Sequence, residues 1–330
     1  MVLEAQQFQP ETLSSFIDSV PNQKTHRLAK SYPTTQVDDI NAVYDLIKSQ
    51  NIVAGSIVGF NAGTPVRTKG EAEQAMAKLT KIAHAYNLDD EEMYKYQNPR
   101  TDAERQRVID AVLLNTAELA QGVNDTKEYI RAKLTYDGKF EYADNRDNVK
   151  IEFDLERPEG NNIGSSDWSN HADATPLDDI EEAIEQYKST NNNAVPAYIV
   201  MNSKTYANFK RTQQVKDEID GAARIVRDSD VELLFSENGY PTLELDDDYT
   251  TFENADGSTE DKAHLEDGKV VLHAEVMGQT LSGPSKEGNW AHGLFSYTVI
   301  SQDPPGEKTI VGEVTLPVSQ NYNGNVIMTV

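Results

Sequence analysis

The sequence predicts an α+β fold from three observations. One amphipathic segment is much longer than an ordinary helix, a mixed stretch of helices and short apolar strands follows it, and the closing third is dominated by strand patterns. At 330 residues the chain suits about two domains and can bury a sizeable core, so folding needs neither a metal nor a disulfide. There is no cysteine, which excludes disulfides, Cys zinc sites and thiol catalysis and suits a reducing cytoplasm. With 55 acidic against 30 basic residues the formal net charge is -25, so nucleic acid and anionic membranes are repelled and contact with DNA should be weak and non-specific. No apolar run approaches the roughly 20 residues of a membrane helix. The opening MVLEAQQFQPETLSSF lacks a basic stretch followed by an apolar one, so no standard export signal is expected. The 15 tyrosines against 9 phenylalanines favour half-buried sheet surfaces and interfaces.

Taken in order, residues 1–54 read as an extended arm with one or two short helices, because apolar clusters are separated by Pro10, Pro21 and Pro33 and only 37–50 has helical spacing. Residues 55–98 become strand-like around a Gly- and charge-rich middle, which predicts an extended β loop. Arm and loop have too little apolar surface to stand alone and should lie on something else. Asn98-Pro99 then breaks the chain, Thr101 is positioned to cap, and Glu104 follows three residues later as in a capping box. Val108, Val112, Leu119, Val123 and Ile130 recur at intervals of four and seven, so 102–133 reads as one helix about 45 Å long. KLTYDGKFEY and NVKIEFDL read as strands with Asp137-Gly138 at the turn.

The loop ERPEGNNIGSSDWSNH holds Trp168, one of two tryptophans. After it, TPLDDIEEAIEQY reads as a helix with Thr175 as cap and Pro176 at its first position. VPAYIVMN is a strand, and SKTYANFKRTQQVKDEI a helix capped by Ser203. From 230 onward strands predominate, with Asn238-Gly239, Asp267-Gly268 and Asn323-Gly324 as hairpin candidates. There is no internal repeat and no low-complexity tail.

Chemical signatures fail one by one. GSSDW resembles a nucleophile elbow but has Trp168 where the second Gly belongs, and nothing in the spacing asks His171 to join it. No phosphate-binding Gly motif is present. An EF-hand aligned on Gly257 puts Phe252 at the first ligand position and Ala263 at the twelfth, so the acidic stretch 243–268 reads as a solvated loop, with a looser cation site left open. The acids from Asp178 to Glu185 fit a helix N-terminus better than a carboxylate site. The six histidines form no ligand pair, and His84 and His273 read as strand-surface residues. Trp290 in GNWAHGLF reads as a packing anchor at a strand start. No catalytic, cofactor or metal residues are assigned. The basic residues Arg67, Lys69, Lys78, Lys81, Lys95, Arg100, Arg105 and Arg107 balance the acids of residues 65–107 and make this segment more basic than the chain as a whole. In so acidic a protein this points either to solvated charge or to contact with an acidic surface, of which another copy of the chain is the commonest.

One run carries a resemblance: IRAKLTYDGKFEY, NVKIEFDLERPEGNNI, SSDWSN, TPLDDIEEAIEQY, an apolar strand, then KTYANFKRTQQVKDEI. Together with a hairpin-bearing segment before a long helix and the closing PVSQNYNGNVIMTV, it resembles the major capsid protein family of tailed bacteriophages typified by the phage lambda shell protein. The resemblance is strongest over about residues 129–220. It implies the Hong Kong 97 capsid fold, with an arm over 1–54, an extended β loop over 55–98, a peripheral domain from 99–190 with 294–318 that includes the spine helix 102–133, and an axial domain from 191–293 with 319–330.

The function it implies is a head protein, without enzymatic activity, that forms hexamers and pentamers of an icosahedral virion shell around double-stranded DNA. Assembly is expected in the host cytoplasm, with a separate scaffolding protein, a portal and, in some relatives, a decoration protein. Arg67, Lys69, Lys78, Lys81, Arg100 and Arg105 are then the expected contacts between copies. Val108, Val112, Leu119 and Val123 form the spine core, and Trp168 anchors the loop. Two other readings stand beside it: an encapsulin-like nanocompartment, and a soluble acidic α+β enzyme or cation-binding protein using His171 or the acids of 243–268.

Overall fold

The computed structural model describes residues 3, 6–21, 24–46, 73–144, 149–155, 157–219, 225–254, 256–303 and 305–330. The chain begins with α1 (Pro10–Ser19), β1 (Thr34–Gln36) and β2 (Asn41–Leu46). Next come β3 (Glu73–Lys78), β4 (Thr80–Leu88), α2 (Asp90–Gln97), the long α3 (Asp102–Tyr136), β5 (Lys139–Asp144), β6 (Val149–Asp154) and β7 (Asn162–Gly164). The middle holds α4 (Pro176–Thr190), β8 (Tyr198–Met201), α5 (Ser203–Arg211), α6 (Gln213–Ile219) and α7 (Asp228–Asn238). Eight described strands close the chain: β9 (Thr242–Leu245), β10 (Tyr249–Glu253), β11 (Thr259–Ala263), β12 (Lys269–His273), β13 (Gly278–Ser282), β14 (Phe295–Gln302), β15 (Pro305–Ser319) and β16 (Asn325–Thr329).

Two five-stranded sheets organise these elements. The first runs β1-β13-β15-β14, with β4 also on β15. Its hub is β15, whose 15 residues pair with β14 at one end, with β13 at the other, and with β4 from Glu307 to Thr315. The second sheet runs β7-β16-β12-β8-β9. Successive residues on its central strands enter different cores, as the two-residue strand period requires. Ile199, Met201, Val270, Leu272, Val326 and Met328 face α4 to α7, whereas Val200, Val271 and Ile327 face the C-terminal half of α3. Both faces are buried, so these strands read as apolar runs.

The helix α3 joins the two sheets. Its 35 residues span about 52 Å at ~1.5 Å per residue. Near its start Val112 packs with Leu3, Phe8, Leu13 and Leu88; in the middle Ala120 meets Ile17 and Val311; toward its end Ile130, Leu134 and Tyr136 pack under the second sheet. Thr101 Oγ1 accepts the Glu104 N–H at 3.2 Å, but Glu104 reaches back to the Arg100 N–H at 2.7 Å, so only half of the expected capping box forms. The helix runs one turn beyond the expected end because Leu134, Thr135 and Tyr136 are buried, and Gly138 at φ 68 makes the exit.

Other expectations are corrected. Residues 41–46, expected in a helical region, form β2 and pair antiparallel with β3, since a partner strand outweighs local spacing. The segment expected as a β loop over 55–98 ends in α2, capped by Asp89 and Glu92 in a capping box. The helix expected over 203–219 breaks at Thr212, and its cap is Asn202, whose Oδ1 accepts the Thr205 N–H at 2.9 Å. Thr175 makes no side-chain cap; its own N–H donates to Ser166 Oγ at 3.1 Å. Residues 228–238 form a helix rather than a strand, with Val231, Leu234 and Phe235 as its buried stripe.

Sheet membership also divides the chain differently from the expected domains. β7 and α4, expected with the long helix, belong to and pack on the second sheet, while β13, expected with the second unit, lies in the first. The arm does not wait for a neighbour to cover it. Leu3, Phe8, Leu13, Ile17, Leu28 and Tyr32 are all buried by their own chain.

Candidate assembly surfaces

The arm is held on α3 by polar contacts as well as apolar ones. Glu128, 3% exposed, accepts the Leu28 N–H on Oε1 at 2.6 Å and Arg131 Nη1 on Oε2 at 3.0 Å. Arg131 also donates to Thr280 Oγ1 on β13 at 3.1 and 3.0 Å, and the Thr280 hydroxyl donates to the Tyr32 carbonyl at 3.0 Å. Tyr32 and Thr135 hydroxyls lie 2.9 Å apart. Nearby, Asp125 takes His26 at 2.9 Å and Gln121 at 2.8 Å; burial would raise its carboxyl pKa, but these hydrogen bonds and the Lys24 charge hold it below the usual range. Lys127 to Glu313 at 2.6 Å adds a further tie from helix to sheet. Buried charges of this kind need partners with good geometry, and each has one.

The residues expected to make contacts between copies are only partly visible. Arg67 and Lys69 lie outside the described residues. Lys78, Arg100 and Arg105 are exposed, and the Arg105 guanidinium sits 5.8 Å from the Tyr96 ring centre. Lys81 is exposed but already engaged, 2.5 Å from Glu287 and 5.2 Å from the Phe295 ring centre. On the spine, Val108, Val112 and Val123 are buried, and Leu119 is half-buried against Ile17, Ala120 and Val311.

Trp168 is 1% exposed and packs 5.5 Å from the Phe209 ring. Its Nε1–H donates to Asp179 Oδ2 at 2.8 Å, the acceptor a buried indole requires. Asp179 also takes the Ser166 hydroxyl at 2.6 Å, so the loop is pinned to the first turn of α4 by one carboxylate. His171 bonds elsewhere, with Nε2 3.3 Å from Asn208 Oδ1, so the Ser166 hydroxyl of the elbow-like stretch and the His171 imidazole are each committed to structure. Sequence reasoning explained Asp179 by helix polarity alone; the nearby Trp, whose N–H needs an acceptor once buried, was the missed signal.

Ligand atoms of Asp246, Asp248 and His264 lie within 4.8 Å of one another, the one such group among the described residues. Their hydrogen bonds account for the arrangement. Tyr136 donates to Asp246 Oδ2 at 2.6 Å, the Asp248 N–H to Oδ1 at 3.0 Å, and His264 Nε2 pairs with Thr250 Oγ1 at 2.9 Å. Burial lowers the His264 pKa, with Asp246 pulling the other way. The cluster fastens the base of the β10–β11 hairpin to the end of α3. Two aromatic expectations are reversed: His273 is 1% exposed rather than on a strand surface, and Trp290 is 62% exposed rather than a packing anchor. No described helix is long and apolar enough to cross a membrane.

In structure, the chain is similar to a protein assigned as the capsid protein of a prophage of E. coli CFT073, with TM-score 0.65 and 14% identity over 98% of this chain and 99% of that one. It is also similar to a phage-related protein from Bordetella bronchiseptica RB50, with TM-score 0.54 and 11% identity over 96% and 95% of the two chains. A chain of the satellite phage P4 procapsid that includes the size determination protein gives TM-score 0.50 and 8% identity over 97% and 90%. The chain thus shares the Hong Kong 97 type of capsid fold. Comparison with curated proteins finds no match. Residues 16–330 match the model of the family described as phage major capsid protein E, and the chain belongs to that family of structural proteins of the virion.

Proposed function

We propose that the chain builds a closed shell from rings of five and six copies, enclosing double-stranded DNA. The observation that carries this reading is α3, which touches three separate cores along its length and so makes the two sheets one stiff plate. A plate of this kind is suited to edge-to-edge tiling. In this reading the first sheet with α3 is the peripheral part, the second sheet with α4 to α7 the axial part that meets its copies at ring centres, and the root formed by β2, β3 and β4 carries the loop that reaches a neighbour. The charge of -25 keeps the inner wall from binding the packaged DNA tightly. A separate scaffolding protein and a portal complete assembly.

Light scattering of the purified chain, alone and with a scaffolding partner, tests the proposal: ring-sized or shell-sized particles support it, and a strict monomer under both conditions refutes it. Particle content then separates a virion head, which holds DNA, from a protein-filled compartment. Arg67→Glu with Lys69→Glu should leave the chain folded and block shells, whereas normal shells from that variant would remove those two residues from the contact.

A further inference from the structure

The two tryptophans are treated in opposite ways. Trp168 is 1% exposed, while Trp290 stands 62% exposed at the end of a turn between β13 and β14. That turn is tightly made. The Trp290 N–H donates to the Ser285 carbonyl at 2.7 Å, the Ser285 N–H to the Ala291 carbonyl at 3.1 Å, and the Gly288 N–H to Ser285 Oγ at 3.0 Å. Asn289 and Trp290 both take left-handed backbone, at φ 54 and 65, a conformation that is costly for a bulky aromatic. The fold therefore holds an indole in water on a strained, hydrogen-bonded turn. Such strain persists where the surroundings impose it, and it clusters at functional positions.

Neighbouring contacts tie this turn to β4 and to the segment that leads into β2. Glu287 pairs with Lys81 on β4, and His292 Nε2 lies 3.1 Å from the Val37 carbonyl, just before β2. On that approach and on β2 itself, Ile40 and Val43 are 42% and 55% exposed. An exposed Trp on a turn tied to a segment that carries further exposed apolar side chains has the composition of an interface centre.

We infer that Trp290 is an anchor between copies, inserted into the surface of an adjacent copy of this chain when the shell forms. The inference rests on the shell reading, which makes another copy the partner this part of the surface meets. Glu287 is already paired with Lys81, so Lys286 is the turn's one remaining charge and burial of the indole its main apolar contribution.

Trp290 is the acrylamide-accessible indole of the wild-type chain, and buried Trp168 is an internal unquenched reference. On assembly the emission should shift to shorter wavelength and the quenchable fraction should fall several-fold. Trp290→Ala should melt like wild type and lose assembly, with Trp290→Phe restoring part of it. Particles in which the quenchable fraction is unchanged would overturn the anchor and leave the shell reading intact. Absence of particles from the wild-type chain would overturn both. If Trp290→Ala fails to fold, the quenching measurement on the wild-type chain still decides.

Discussion

Glu128 on the long helix accepts the backbone N–H of Leu28 at 2.6 Å, with both residues buried, so the arm is joined to α3 through a carboxylate already paired with Arg131. Removing one charge of that pair strands the other in the interior. Glu128→Gln or Arg131→Met should each cost about 3–5 kcal/mol in urea unfolding, while Glu128→Leu with Arg131→Leu together should cost less than the sum. Single losses below about 1 kcal/mol would show that water already solvates the pair.

Trp168 fills the core between the loop and α5, and its N–H meets Asp179. Trp168→Ala should destabilise by about 3–5 kcal/mol. Trp168→Phe keeps most of the volume and removes one charge-assisted hydrogen bond from Asp179 Oδ2, which keeps the Ser166 hydroxyl, so it should cost about 1–3 kcal/mol. Equal costs for the two would mean the hydrogen bond carries the whole effect.

His273 gives the fold an acid-sensitive step. Burial lowers its pKa from 6.5 to about 4, with the Ala274 carbonyl 2.7 Å from Nδ1 acting in the opposite sense. The unfolded chain takes up this proton below about pH 6.5 and the folded chain only near pH 4, so stability is full above that window and declines through it as pH falls. Over the whole window the loss is about 3 kcal/mol. His273→Gln should flatten the pH dependence of the urea midpoint between pH 6.5 and 4 relative to wild type; an unchanged slope would remove His273 as its source.

Gly239 ends α7 at φ 66, with nothing within 4 Å of where a Cβ would stand. Gly239→Ala should therefore cost only the backbone term, about 1 kcal/mol, and Gly239→Asn less. A much larger loss by thermal melting would reveal a steric role for this position.

What the sequence made legible was whatever local chemistry decides. The apolar stripe Val108, Val112, Val123 and Ile130 marked α3, and Thr101 marked its start. Gly138, Gly239 and Gly268 do take left-handed backbone but do not close hairpins: Gly138 and Gly239 turn a helix into a strand, as sequence-local reasoning cannot distinguish. β2 was unreadable because its partner β3 is remote in the chain, from Leu46↔Glu73 to Asn41↔Lys78, and EQAMAK is no strand pattern by itself. The placement of Trp290 was equally hidden, since exposure is a tertiary outcome and an aromatic before a strand usually packs.

Assembly is the central claim, and electron microscopy of particles from cells expressing the chain tests it most directly. The account predicts closed icosahedral shells whose subunit density fits the two sheets and the 35-residue α3. A chain that remains monomeric in the presence of its scaffolding partner, or forms only disordered aggregate, would contradict it.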